Sequence, residues 1–354
     1  MSTTNSAGPL NLDREHQSGV MLSVRDLHVH FPTPDGLVKA VDGLSYDLEH
    51  GKTLGIVGES GSGKSVSTYA IMGLHRDTRA HVSGEIIFDG DDLLTLPSDD
   101  LREMRGRDIA MVFQDPLSAL HPYYTVGNQI VEAYRVHNDV TKTVARNHVI
   151  DMLGRVGIPN PARRIDQYPH EFSGGMRQRA MIAMALINDP RLIIADEPTT
   201  ALDVTVQAQI LSLLTDLQRE FGSSIIIITH DLGVVAEMAD DILVMYAGRA
   251  VEVGDAESIF YTPEHPYAWG LISSMPRIDK ARFDRLKPIR GNPPSLIRPP
   301  AGCPFHPRCD WASEELGCMS MRPELLGSGG HTVRCHIPHH ERIAIFDEKV
   351  KPLL

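Results

Sequence analysis

The sequence lacks any long apolar segment. Apolar runs such as residues 192–195 and 225–228 are far shorter than the roughly 20 residues that a membrane-spanning helix needs. The first 20 residues are polar and have no apolar centre of the kind that a secretory signal carries. We therefore expect residues 1–20 to form a loose tail, and the protein to be cytoplasmic with no membrane span of its own.

Basic charge is also in short supply. Lysine and arginine number 34 against 46 acidic residues, which gives a net charge of −12. Proteins that bind nucleic acids usually carry a basic surface, so this balance argues against nucleic acid as a partner. Hydrophobic residues make up 42% of the 354 residues, which is ordinary for a globular protein. The length favours one large core with at least one appended module.

Cysteine is rare and confined to one end of the chain. The four cysteines are Cys303, Cys309, Cys318 and Cys335. Structural disulfides are not expected in a cytoplasmic protein. No C-x-x-C pair of the zinc-ribbon type is present, yet four thiolates can hold either zinc or an iron–sulfur cluster. Four unconnected structural cysteines also fit the sequence, and His306, His331 and His336 are further possible ligands.

Strand-like patterns occur on both sides of the middle of the chain. Residues 22–31 alternate apolar and polar side chains, as a half-buried strand does. A second strand, residues 53–58, runs into a glycine-rich segment and then into a helical pattern. The later segments RLIIAD and SSIIIITH are continuous apolar runs, which are typical of a parallel sheet covered on both faces. These patterns predict an α/β fold.

The region between the two groups of strands has a helical pattern. β-branched runs fade there, and Val149, Leu153 and Val156 lie on one helical stripe. We predict a helical insertion at about residues 115–185 within a core that spans residues 21–262. Prolines accumulate from Pro263 onward, so residues 263–340 are expected to form a small, separate C-terminal module that contains the cysteines. Residues 341–354 are expected to be a tail.

The glycine-rich segment matches a phosphate-binding loop. The pattern G-x-x-x-x-G-K-[ST] is satisfied by Gly58, Glu59, Ser60, Gly61, Ser62, Gly63, Lys64 and Ser65. In such a loop, backbone N–H groups surround phosphates at the N-terminus of a helix. Lys64 would hold the β- and γ-phosphates of ATP, and the Ser65 hydroxyl would bind Mg²⁺. A chance glycine-rich turn is the alternative, which the flanking strand and helix disfavour.

Two adjacent carboxylates, Asp196 and Glu197, end the apolar segment LIIADE. Such a place is unfavourable for charge unless metal or water chemistry uses it. Asp196 is expected to reach Mg²⁺, directly or through water, and Glu197 to act as the general base for the attacking water. The alternative is an exposed pair of acids at the end of a strand.

The segment FSGGMRQR, residues 172–179, resembles the signature motif of the ATP-binding cassette (ABC) family. The family motif usually begins with Leu and continues to Gln, and here Phe172 and Met176 stand in those places. The resemblance implies a P-loop cassette fold and a head-to-tail pair of cassettes. In that pair, Ser173, Gly174 and Gly175 would face the γ-phosphate held by the other subunit.

Three further residues match family landmarks in their usual order. Gln114 lies in FQDP, Asp203 in ALD, and His230 ends the strand IIIITH. The resemblance implies that Gln114 senses Mg²⁺ and nucleotide, that Asp203 belongs to the D-loop, and that His230 is the switch histidine. It also implies that Phe31 stacks on adenine and that residues 115–127 face the membrane subunits.

Residues 22–336 are similar to the ATPase subunits of dipeptide and oligopeptide importers. Segments that carry this similarity include FQDPLSALHP, YPHEFSGGMRQR, HPYAWGL and CPFHPRC. The similarity implies a peripheral ATPase at the cytoplasmic face of the cell membrane. Its implied partners are a second cassette, identical or homologous, and two transmembrane permease subunits, with an extracytoplasmic solute-binding protein acting indirectly. It also implies a [4Fe–4S] cluster on the four cysteines.

Two alternatives to peptide import remain open at this point. ATPases that drive the import of nickel, glutathione or oligosaccharides have similar sequences, and the subunit does not touch the cargo. A soluble ABC ATPase in DNA repair or translation is the alternative from another class. The single cassette and the net charge of −12 disfavour that second alternative.

Overall fold

The computed structural model describes residues 19–200, 202–275 and 289–354. Most of the expected N-terminal tail, residues 1–18, and Ala201 of the expected D-loop lie outside the described residues. The strands are β1 (Val20–Thr33), β2 (Gly36–Glu49), β3 (Thr53–Val57), β4 (His81–Phe88), β5 (Asp91–Asp92), β6 (Ile109–Val112), β7 (Leu192–Asp196), β8 (Ser224–Thr229), β9 (Asp241–Tyr246), β10 (Arg249–Asp255), β11 (Leu326–Ser328) and β12 (His331–Val333).

In the sequence, the α-helices lie between these strands and after the last of them. They are α1 (Lys64–Ile71), α2 (Ser98–Met104), α3 (Pro116–Ala119), α4 (Val126–Arg135), α5 (Lys142–Arg155), α6 (Pro161–Arg164), α7 (Gly174–Leu186), α8 (Val204–Phe221), α9 (Leu232–Met238), α10 (Ala256–Tyr261), α11 (Pro266–Ser273) and α12 (His339–Ile345). Within the described part of the chain, no helix has both the length and the apolar character that crossing a membrane requires.

Two sheets form the centre of the molecule. The larger has the strand order β11-β12-β10-β9-β3-β8-β7-β6, and its strands β9, β3, β8, β7 and β6 pair in parallel. All residues of β3, β7 and β8 are buried, which explains their continuous apolar sequences. The smaller sheet, β2-β1-β4-β5, is antiparallel. Together the sheets and helices form a fold with mixed α/β content.

The chain between β6 and β7 is helical in the structure. It contains α3 to α7, together with one turn of 3₁₀-helix at Pro169–Glu171. Val149, Leu153 and Val156 are fully buried, as the predicted helical stripe requires. They share one hydrophobic cluster with side chains of β6, β7 and β8. This shared cluster fixes the helices against one face of the larger sheet.

The chain after residue 262 packs on the cassette more closely than its prolines suggest. Proline is tolerated at the start of a helix, and Pro266 begins α11. Tyr267 and Phe305 belong to the same buried cluster as Val57 of β3. The β11–β12 hairpin also extends the larger sheet by pairing with β10. The expected boundary near residue 262 therefore corresponds to no break in the packing.

The last residues, expected to be a tail, are helical and partly buried. Helix α12 continues into a π-helical turn, Phe346–Val350, and a 3₁₀ turn, Lys351–Leu353. Phe346 and Val350 are buried against Trp269 of α11. Arg342 Nη2 lies 2.7 Å from Glu264 Oε2, which anchors α12 to the segment before α11. Phe346 and Val350 thus contribute to the packing of the last residues against α11.

Replacing Phe346 by alanine tests this packing. We expect Phe346→Ala to lower the local stability of residues 339–354 by about 3 kcal/mol, because a buried aromatic ring is removed from a filled site. Ile343→Ala is the matched control: Ile343 is 42% exposed, so its truncation should change stability by less than about 0.5 kcal/mol. Amide hydrogen exchange of this segment measures both effects, and equal exchange in the two variants would contradict the packing.

Candidate functional site

The candidate site lies at the carboxyl edge of the parallel strands. Strands β3, β6, β7 and β8 run in the same direction, so the segments that follow them emerge at one edge of the sheet. Those segments carry Gly58, Gln114, Glu197 and His230. Ligands of open α/β sheets bind at this kind of edge. The fold thus brings together motifs that are up to 172 residues apart in the sequence.

The loop after β3 has the shape of a phosphate cradle. Gly63 has φ 102° and precedes α1; a Cβ atom there would lie 2.1 Å from the carbonyl oxygen of Ala40. Only glycine fits such a position without strain. Lys64 Nζ donates hydrogen bonds to the carbonyl oxygens of Gly58 (2.7 Å) and Glu59 (3.1 Å). Burial lowers the pKa of Lys64, although the charges of the nearby carboxylates oppose that shift.

A hydroxyl and a carboxylate meet directly beside this loop. Ser65 Oγ donates to Asp196 Oδ1 at 2.9 Å, and Tyr69 Oη donates to Asp196 Oδ2 at 3.3 Å. Asp196 is almost fully buried, and burial raises its pKa. Oxygen ligands of this type suit Mg²⁺, so the residues present fit the expected metal. Tyr69 was missed from the sequence, although it lies one helical turn after Ser65 on the same face of α1.

Glu197 is held by three side chains from three segments. Its carboxylate accepts hydrogen bonds from Gln114 Nε2 (2.9 Å) and Thr200 Oγ1 (2.8 Å), and its Oε1 lies 3.1 Å from His230 Nδ1. Burial pushes the pKa of Glu197 upward, but the bonds from Thr200 and His230 outweigh burial and hold the pKa below its ordinary value. Glu197 is therefore an anion at neutral pH, and the three neighbouring side chains orient its carboxylate.

Gln114 contacts the expected general base. Its amide donates to Glu197 Oε2 at 2.9 Å, and its expected role in sensing Mg²⁺ and nucleotide stays a prediction. Thr200, which bonds the same carboxylate, was not predicted. Its only signal in the sequence was its place three residues after Glu197.

The signature segment begins α7. Ser173 caps this helix, with its Oγ accepting from the N–H of Met176 at 3.3 Å, and both Ser173 and Gly174 are exposed. Phe172 is buried in the helical cluster, so packing accounts for the aromatic residue at the place where the family usually has Leu. Within the described residues, no hydrogen bond or ion pair joins residues 173–175 to the phosphate loop of the same chain.

Gln178, in the same segment, connects α7 to the acidic pair. Its Nε2 donates to the carbonyl oxygen of Pro198 at 2.6 Å, and its side chain is buried. Because Pro198 directly follows Glu197, this bond links the signature helix to the segment that carries the proposed base. Sequence reasoning did not single out Gln178.

The two remaining predicted residues lie near the ends of other elements. Phe31, near the end of β1, is partly buried and places its ring edge-on to His75, with the ring centroids 5.4 Å apart. Asp203 is exposed and caps α8, where its Oδ1 accepts from the N–H of Val206 at 3.0 Å. Neither residue bonds to the phosphate loop among the described residues.

An arginine from the cysteine region reaches the phosphate loop. Arg308 donates from Nη1 and Nη2 to the two carboxylate oxygens of Glu59, at 2.5 and 2.9 Å. The hydroxyl of Tyr267 accepts the backbone N–H of Glu59 at 2.8 Å. Sequence reasoning missed both Arg308 and Tyr267, since nothing local to CPFHPRC or HPYAWGL indicates a partner about 200 residues away.

The four cysteines line one small cavity. None of them forms a disulfide. Burial raises the pKa of Cys309 and Cys335 to about 12, and the neighbouring thiols add to the effect. His306 and His336 line the same cavity, whereas His331 bonds to the buried Glu252 at 2.8 Å.

Two family models match the sequence. Residues 41–200 match the model described as ABC transporter, which spans the phosphate loop, the signature segment and the acidic pair. Residues 251–318 match the model described as the C-terminal region of oligopeptide/dipeptide transporters. The second match includes three of the four cysteines, Cys303, Cys309 and Cys318.

Relatives match over nearly their whole length. The oligopeptide transport ATP-binding protein OppD of Salmonella typhimurium is 51% identical over 324 residues, which cover 92% of this chain and 96% of the relative. The dipeptide transport ATP-binding protein DppD of Bacillus subtilis is 52% identical over 317 residues, which cover 89% and 94%.

A solved dimeric ATP-binding cassette, in a post-hydrolysis state with ADP and Pi, is also similar. It is 26% identical, covers 67% of this chain and 99% of its own, and has a TM-score of 0.60. The fold, the arrangement of the nucleotide motifs and the relatives matched over nearly their whole length all indicate the same family. The chain belongs to the family of ATP-hydrolysing, ATP-binding subunits of oligopeptide and dipeptide ABC transporters.

Proposed function

We propose that this chain energises the import of di- or oligopeptides from the cytoplasmic face of the cell membrane. The observation that carries the proposal is the meeting of Lys64, Asp196 and Glu197 at one sheet edge. The cargo is inferred from relatives that are named as oligopeptide and dipeptide transport proteins. Import of nickel, glutathione or oligosaccharides would use the same site, and the net charge of −12 still argues against nucleic acid as a partner.

Each side chain of the edge has a proposed role in hydrolysis. Lys64 and the loop N–H groups of residues 58–65 bind the β- and γ-phosphates of ATP. Ser65 and Asp196 would hold Mg²⁺, which neutralises charge on the phosphates when it is bound. Glu197 takes a proton from the water that attacks the γ-phosphorus, and the bond to the β–γ bridging oxygen breaks. Gln114 and His230 contact the Glu197 carboxylate and orient it.

A second cassette would complete the site. Ser173 and Gly174 are exposed at the start of α7 and unconnected to their own phosphate loop, which supports a role at the nucleotide of an identical or homologous partner. Backbone N–H groups at a helix N-terminus and a serine hydroxyl suit a γ-phosphate. In the same arrangement Asp203 would lie at the contact between the cassettes, and Phe31 would stack on adenine.

The helices of residues 116–186 form the proposed helical subdomain and contact the permease. Several apolar side chains after Gln114 are exposed: Leu117 by 60%, Tyr123 by 83% and Tyr124 by 58%. Large exposed apolar side chains grouped in one segment mark a contact with another protein. We assign this surface to two transmembrane permease subunits, through which a solute-binding protein outside the membrane acts indirectly.

The four-cysteine cavity is the proposed site of a [4Fe–4S] cluster in a C-terminal module. Four thiolates on one zinc ion, at about 2.3 Å each, would lie about 3.8 Å apart. Among the described residues, three ligand atoms lie within 4.8 Å of one another only at His28, His30 and Asp42, so the cysteine sulfurs are spread more widely than that. The similarity of CPFHPRC to the peptide-importer ATPases supports a cluster, which would brace the module.

The first prediction concerns the base. Glu197→Gln should bind ATP but hydrolyse it about 10²–10⁴-fold more slowly, because the amide cannot accept the proton. Uptake of a labelled tripeptide by the reconstituted transporter should stop with it. The control is Glu220→Gln on the exposed surface of α8, which should retain both activities. Normal hydrolysis by Glu197→Gln would show that Glu197 is not the general base. Uptake of nickel but not of peptide by the wild-type transporter would contradict peptides as the cargo.

The second prediction concerns the partner cassette. Ser173→Arg should leave ATP binding to the isolated chain unchanged, since Ser173 lies away from its own phosphate loop, and should abolish hydrolysis in the assembled transporter. Ser212→Arg, the same change at an exposed serine of α8, is the control and should affect neither measurement. Loss of ATP binding by the isolated Ser173→Arg chain would contradict the arrangement across two subunits.

The third prediction concerns the cysteines. Protein purified without oxygen should contain about four irons and four sulfides per chain. Cys309→Ser should lose most of that iron, whereas His306→Gln should keep it, because four thiolates complete the ligand set. Elemental analysis and the visible absorption spectrum measure the content. One zinc and no iron in protein made with ample iron would overturn the cluster.

A further inference from the structure

The side chain of Arg308 is held on several sides. Its side chain is only 4% exposed, and its guanidinium donates hydrogen bonds to both carboxylate oxygens of Glu59. Nη1 also donates to the Tyr246 hydroxyl at 3.3 Å, and Nε donates to the carbonyl oxygen of Arg290 at 2.8 Å. The bond to Glu59 is the main reason that the pKa of Arg308 is raised. A buried, two-pronged pair of this kind has one well-defined geometry.

Glu59, the partner of Arg308, is the second residue of the phosphate loop. Its backbone groups also form hydrogen bonds. The N–H donates to the Tyr267 hydroxyl at 2.8 Å, and the carbonyl oxygen accepts from Lys64 Nζ at 3.1 Å and from the N–H of Ser62 at 3.2 Å. The path of the loop therefore depends on two side chains, Arg308 and Tyr267, that lie beyond the nucleotide motifs.

The segment that carries Arg308 lies between the loop and the four-cysteine cavity. Phe305 packs against the rings of Tyr246 and Tyr267, at centroid distances of 5.2 and 5.4 Å. Phe305 also lines the cavity, as do Cys303 and Cys309 at the two ends of the segment. Residues 303–309 thus contact the cavity on one side and the phosphate loop on the other.

We propose that Arg308 is a positioning residue for the phosphate loop: through Glu59 it holds the loop in the conformation that receives ATP. The inference rests on the proposed function of that loop as the ATP site. Arg308 touches neither the phosphates nor the attacking water in this role. Its loss should consequently weaken ATP binding and leave the chemical step nearly unchanged.

The test compares two buried arginines of the same region. Arg308→Lys keeps the charge but loses the two-pronged contact, so the dissociation constant for ATP should rise about tenfold, the cost of one charge-assisted hydrogen bond. In the assembled transporter KM should rise to the same degree, with kcat within about twofold of wild type. Arg342→Lys is the control, since Arg342 pairs with the buried Glu264 at 2.7 Å and does not bond the phosphate loop. It should leave ATP affinity unchanged.

A double-mutant cycle separates positioning from general destabilisation. Glu59→Gln preserves the side-chain shape and serves if Arg308→Lys fails to fold. It should weaken ATP binding to a similar degree. The double variant should be no weaker than either single one, because both changes break the same contact. Additive losses, or unchanged ATP affinity in folded Arg308→Lys and Glu59→Gln, would overturn the proposal.

Lys64→Ala distinguishes this failure from failure of the proposed function. Binding of a fluorescent ATP analogue to the full chain should be lost in Lys64→Ala, because the charge that faces the phosphates is removed. If Lys64→Ala loses binding while Arg308→Lys binds normally, only the positioning role is wrong. If Lys64→Ala binds normally, the loop is not the ATP site and both proposals fail.

Discussion

The parallel direction of β3, β6, β7 and β8 is the constraint on which the rest of the site depends. Each strand is fully buried, so polar groups can appear only where a strand ends. Parallel pairing puts those ends at one edge. The charged and polar groups of the site are therefore concentrated along a single line, beside the start of α1. The helices of residues 116–186 and the C-terminal region pack around this sheet and leave that edge accessible.

Carboxylates at the end of a buried strand are unfavourable unless they form hydrogen bonds or ion pairs. The two carboxylates here are stabilised in different ways. Asp196 is buried, has a raised pKa, and receives hydroxyl hydrogen bonds from Ser65 and Tyr69. Glu197 has a left-handed backbone, with φ 47°, and a lowered pKa set by its donors. Two adjacent acids thus have different environments, which matches a metal-binding role for one and a proton-accepting role for the other.

The C-terminal region is a structural part of the nucleotide site. Phe305 and Tyr267 share a hydrophobic cluster with Val57, the last residue before the phosphate loop. Trp269 of α11 is buried with Phe346 and Val350 from the end of the chain. The four-cysteine cavity, α11 and the final helix therefore form continuous packing that reaches the nucleotide edge.

Local patterns in the sequence were sufficient for features that depend on neighbouring residues. The strands β1, β3, β7 and β8, the helix α1 and the buried stripe of α5 match the predictions, because periodicity and glycine spacing act over a few residues. The pattern G-x-x-x-x-G-K-[ST] likewise placed the phosphate loop between a strand and a helix. Contacts between distant segments are a different matter, because no local pattern records them. The bond of Gln114 to Glu197, the pairing of Arg308 with Glu59 and the burial of Phe346 were decided only by the tertiary structure, where the sheet and the packed C-terminal region bring those residues together.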